Sequence, residues 1–184
     1  VAPAIRLWLA FSALGAGLIH LAVGAGAPFP LSVLLVGFGI AEIGWGVAAL
    51  STGRLVVQRV ALGATLVPVA VWAATATLGS GLGVTAASTG LPLFPMFVAS
   101  AFNVFLAVSL ALIARTSSDG AATVTQAPAS GWKFMTALVL GGLIFSGLTT
   151  PALAATNAGL YATPHGSHSV PGVEVPAGGS HDGH

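Results

Sequence analysis

The chain has 184 residues, of which 55% are hydrophobic and 5% charged, with a net charge of +1 and a mean hydropathy of +0.97. Soluble domains carry about 25% charged residues, so five basic and four acidic side chains cannot cover a water-facing surface. The balanced charge gives no electrostatic reason to expect nucleic acid as a partner, and the absence of cysteine excludes both a disulfide framework and a thiolate metal site.

Apolar runs organise what remains. Five of them reach or approach the roughly 17–25 residues that cross a hydrocarbon core: 4–23, 31–50, 55–78, 92–114 and 133–152. The connectors carry turn and breaker chemistry: Pro28 and Pro30, then Ser51-Thr52-Gly53, then the Gly/Ser/Thr-rich stretch 79–90, then 115–132 with Asp119-Gly120 and Pro128. The expected fold is all-α, an integral membrane bundle of five transmembrane helices over 1–154, followed by a largely irregular tail over 155–184. The lipid bilayer is its first partner.

Orientation follows from the basic residues, which stay on the cytoplasmic side. Arg6 precedes the first span, Arg54 and Arg59 flank the second connector, and Arg115 and Lys133 bracket the fourth. A cytoplasmic N-terminus places all five inside. An odd span count then sends the C-terminal tail to the extracytoplasmic side of a plasma membrane, and the composition, rich in Ala, Val and Gly, suggests a bacterium.

Two runs invite comparison with signal sequences. The first follows Arg6, but its length and the lack of an Ala-x-Ala site argue for a retained span. The fifth has a basic start at Lys133, an apolar region over 137–148 and a small-residue site at Ala152-Leu153-Ala154. Cleavage after Ala154 and a plain helix end at Pro151 are the two readings, and intact mass separates them.

Three polar side chains fall inside the spans: His20, Glu42 and Asn103. A charge at mid-bilayer costs about 2.5–3.5 kcal/mol, so such groups face protein or water. Helical spacing agrees. Gly39, Glu42 and Gly46 share one face of the second span, Ala99, Asn103 and Ala107 one face of the fourth, and Ala13, Gly17, His20 and Gly24 one face of the first. Small residues along a stripe let helices approach closely.

From the rise per residue, Glu42 and Asn103 lie roughly 16 Å deep, near the midplane, and His20 only about 6 Å below the outer surface. Glu42 and Asn103 are therefore expected to pair directly, whereas His20 needs a tilted helix or a water to reach Glu42. Pro68 lacks an N–H and frees the Ala64 carbonyl as a further acceptor. Glu42 reads either as a proton or cation site or as a neutral acid locking helices by a hydrogen bond. Trp8, Trp45, Trp72 and Trp132 read as interfacial or packing aromatics.

The tail carries two H-x-x-H pairs, His165 with His168 and His181 with His184, separated by twelve residues. Imidazole suits zinc, Cu(II) and Ni(II). Closing a loop of about twelve residues costs about 2 kcal/mol, while a structural zinc site can contribute about 10 kcal/mol or more. A divalent transition metal ion, copper or zinc, is the cofactor expected, with His20 a candidate relay at the membrane entrance. No nucleophile elbow, H-E-x-x-H helix or phosphate loop is present, so no enzymatic activity is expected.

The runs Ala16-Gly-Leu-Ile-His-Leu21 and Thr149–His168 resemble segments of uncharacterised multi-span membrane proteins of high-GC Gram-positive bacteria. The resemblance implies a membrane location and an exposed histidine tail. The leading expectation is a membrane protein that binds or hands over a divalent metal through its tail. The alternatives are an accessory subunit of a larger, respiratory-type membrane complex or a homo-oligomer, and a small ion- or proton-coupled transporter using Glu42.

Overall fold

The computed structural model describes residues 2–81, 91–118 and 131–161, with the backbone alone at 78–81, 117–118 and 160–161. Within them the chain forms five long helices and no strand: α1 Pro3–Gly26, α2 Phe29–Thr52, α3 Gln58–Gly81, α4 Leu93–Ser118 and α5 Gly131–Ala154, then a 3-10 turn over Asn157–Tyr161. All five are long and apolar enough to cross a membrane, which makes this a multi-pass membrane protein. In hydrocarbon each backbone N–H and C=O must be satisfied within its own segment, and helices do this.

The helices overrun the apolar runs at most ends because propensity, not hydropathy, sets where they stop. Pro3 and Pro30 occupy first-turn positions of α1 and α2, where a missing N–H costs nothing. Gly53, at φ +70°, ends α2 in the left-handed region, which glycine enters without strain. Arg6 Nη1 donates to the Gly53 carbonyl at 2.7 Å, placing a cation on the negative end of α2. Two expectations need correction. Residues 79–81 belong to α3 instead of a connector, and Pro151 lies inside α5 instead of ending it. The helix continues because Ala155 N–H still reaches the Pro151 carbonyl at 3.1 Å.

Helix α1 is the hub. It packs against α2, α4, α5 and the 3-10 turn, and 67% of its most apolar stretch is buried, against 17% for α3. Side-chain pairings show that the directions alternate: Trp8 Nε1 donates to Ala137 O on α5, Ser12 Oγ to Phe102 O on α4, and Gln58 Nε2 on α3 to Leu110 O. Arg6, Arg54, Arg59, Arg115 and Lys133 accordingly gather at one end of the bundle.

The core divides along α1. From Ala16 onward, Ile19 and Val23 pack with Leu35, Met96, Phe102 and Phe145. Nearer the basic end, Leu9 and Ala13 pack with Ala61, Leu106 and Leu110. Phe145 is ringed by Trp8, Phe11, Phe102 and Phe105 at centroid distances of 5.2–6.3 Å, in tilted and edge-on arrangements that aromatic quadrupoles favour.

Glycine sets the α1–α2 spacing. A Cβ on Gly39 would lie 2.8 Å from Gly17 O, and one on Gly17 would lie 2.8 Å from Gly39 O. The two backbones therefore touch, and nothing larger than hydrogen fits. Gly39→Ala is expected to destabilise the protein by about 1–3 kcal/mol, the usual cost of overpacking. Gly37→Ala, whose Cβ would meet nothing within 4 Å, is expected to be neutral or slightly stabilising. Thermal unfolding of the two variants in one detergent checks the contrast.

Candidate intramembrane site

The Gly17–Gly39 contact fixes the register that builds the site. His20 lies three residues beyond Gly17 toward the end opposite the basic residues, and Glu42 lies three residues beyond Gly39 toward the basic end. Along the axis the two positions are about 9 Å apart. Each Cα–Cβ bond leans toward the N-terminus of its own helix, and α1 and α2 are antiparallel. The two side chains therefore lean toward each other and close the gap.

His20 Nδ1 lies 2.7 Å from Glu42 Oε2, and Asn103 Nδ2 on α4 donates to Glu42 Oε1 at 2.9 Å. The Glu42–Asn103 pairing agrees with their shared depth. The expectation that His20 would need a tilt or a water is corrected: depth counted at Cα atoms omits the opposed lean of the side chains. The three residues are 1%, 7% and 0% exposed, respectively.

The chemistry follows from the inventory of donors and acceptors. With Glu42 ionised, His20 Nδ1–H and Asn103 Nδ2–H each satisfy one carboxylate oxygen. Asn103 Oδ1 is buried without a partner among the described residues. A half-turn of the amide presents Oδ1 in place of Nδ2, so the same geometry can accept a hydrogen bond from a carboxylic acid. The centre thus accommodates Glu42 with or without a proton. His20 meets Glu42 through Nδ1, which leaves Nε2 as the other ring nitrogen able to carry a proton.

Glu42 also lines a cleft of about 350 Å³ between α2 and α3. The cleft exists because α3 packs on α4 and scarcely touches α2. Phe38, Trp45, Ala48, Val60, Ala61 and Ala64 contribute to its walls. Trp45 is held by an Nε1–H bond to Val56 O at 2.8 Å. Pro68 is buried within α3 and leaves the carbonyl of Ala64 without its helical donor. Trp45, expected to be an interfacial or packing aromatic, does pack on the core, but its place in a cleft beside Glu42 was not expected. The missed signal was Phe38 and Trp45 at i−4 and i+3 from Glu42 on one helix.

His165, His168, His181 and His184 lie outside the described residues. Among the described residues no group of three or more His, Asp or Glu side chains is placed to hold a metal ion, and His20 is joined there to Glu42 alone of these. Trp8 donates to Ala137 O and Trp72 packs on the core, while Trp132 is exposed. No family model, curated protein or solved structure matches this chain.

The contacts separate two substitutions. His20→Leu leaves Glu42 with a single buried donor, and is expected to cost about 3–5 kcal/mol, as when one partner of a buried pair is removed. Glu42→Gln can keep both bonds: its Oε1 accepts from Asn103, and its Nε2 donates to the other neutral tautomer of His20. It is expected to cost at most about 1 kcal/mol. Denaturation of both variants in the same micelles measures the difference.

Proposed function

We propose that this chain is a non-enzymatic bacterial plasma-membrane protein in which His20, Glu42 and Asn103 bind and release a proton in step with ion movement. The observation that carries the reading is the direct contact of His20 and Asn103 with both oxygens of Glu42, buried between helices. A carboxyl placed there is costly, and two donors from two other helices offset the cost. A neighbouring imidazole then offers the proton somewhere to go. In this reading the basic end of the bundle faces the cytoplasm and the C-terminus lies outside.

A helix lock needs the same hydrogen bonds but no exchange of protons. Infrared difference spectra of the reconstituted protein during a pH step separate the two. The expected result is a carboxylic C=O band that appears and disappears with pH and is missing in Glu42→Gln. A carboxyl band that stays constant at every pH at which the protein remains folded would leave only the locking role.

A second reading rests on the sequence of the tail. We propose that His165, His168, His181 and His184 bind Zn(II) or Cu(II) at the outer face, since two H-x-x-H pairs supply four nitrogens. Binding to the purified full chain is expected to fade below about pH 6, where imidazoles protonate. It should be lost when all four histidines are changed to Ala. Calorimetric titration with zinc measures both, and retention of tight binding in the fourfold variant would remove the tail from the account.

A further inference from the structure

The cleft between α2 and α3 is larger than the proton reading requires. Its lining runs from Val56 and Val57, near the basic end, up to Phe38 and Glu42. Along α2, residues 38–48 cover about 15 Å. Nearly the whole lining is apolar, and it includes one carboxyl and two aromatic rings, Phe38 and Trp45. Ala64, whose carbonyl receives no N–H from Pro68, is part of the same wall.

Charge selects the occupant. Glu42 is the only acidic side chain among the described residues; Asp119, Glu174 and Asp182 lie outside them. The groups facing it are His20 from α1 and Asn103 from α4. Thr65 on α3 lines the same cleft, and among the described residues no cationic side chain lines it. In a low-dielectric interior the centre favours net neutrality, which one proton shared by His20 and Glu42 supplies. A monovalent cation in the cleft supplies the same neutrality and sets that proton free. Aromatic faces attract cations, and the apolar walls exclude small, strongly hydrated ions such as Na⁺.

We infer that the α2–α3 cleft binds an apolar monovalent organic cation, an amine or onium, in exchange for the proton held at His20–Glu42. The inference rests on the proton-exchange reading and names what is exchanged. No covalent step is involved: one cation enters, one proton leaves, and the charge of the site is unchanged.

Tetraphenylphosphonium is the probe, added to the purified full-length chain in a weakly buffered detergent solution. Expected are saturable binding, release of about one proton per cation bound, and weakening by about tenfold or more in Glu42→Gln. Ala64→Phe and Ala48→Phe fill the cleft without touching the three polar residues. Both should weaken binding while leaving the infrared titration of Glu42 intact. Binding without proton release would overturn the inference, and so would unchanged affinity in Glu42→Gln. Equal competition by a neutral molecule of the same shape would assign the cleft to lipid chains instead. Loss of cation binding in the wild type, with the infrared titration intact, would overturn the inference and leave the proton site standing. Absence of that titration would overturn the proton reading itself.

Discussion

A carboxyl group in the middle of a hydrocarbon-facing bundle has to be answered by neighbouring side chains, because lipid offers it nothing. In this protein the answer is given twice, by an imidazole from α1 and an amide from α4, one to each oxygen of Glu42. That constraint ties three helices together at one level and makes their relative positions specific. Apolar packing alone would tolerate many rotations of such helices, whereas a hydrogen-bonded carboxyl tolerates few.

The glycine contact between α1 and α2 and the polar centre depend on each other. Gly17 and Gly39 bring the backbones into contact, and only in that register do His20 and Glu42 lean into hydrogen-bond distance. A helix that already packs on three neighbours leaves little face for α3, which meets it around Ala61 and settles mainly on α4. The open side between α2 and α3 is therefore a consequence of α1 being the hub. It gives the carboxyl, otherwise buried among helices, an apolar approach.

Much of this was legible in the sequence, for a physical reason. Apolar runs of spanning length have few alternatives to membrane helices, and the spacing of Gly39, Glu42 and Gly46 marked the packing face of α2 that the structure buries. The pairing of Glu42 with Asn103 followed from depth alone. The approach of His20 did not, because a count of residues places Cα atoms and carries no information about the direction of side chains in antiparallel helices. The cleft was hidden for a different reason. It depends on which helices fail to touch, and no single helix encodes that. The passage of α5 through Pro151 was also misread, since a proline in the last turn costs a helix little once tertiary contacts hold its end, as the 3-10 turn packed on α1 and α5 does. The four tail histidines lie outside the described residues, and for them composition is the whole argument.

Everything else in the bundle turns on the contact of His20 with Glu42 within the membrane. Magic-angle-spinning NMR on protein reconstituted in lipid, with ¹⁵N in the histidine ring and ¹³C in the glutamate carboxyl, tests it directly, because Glu42 and Glu174 are the only glutamates and Glu174→Gln removes the second. Strong dipolar transfer is expected between His20 Nδ1 and the Glu42 carboxyl carbon, consistent with a nitrogen–oxygen distance of 2.7 Å. Absence of that transfer in folded protein, with each group instead coupled to lipid or to water, would contradict it.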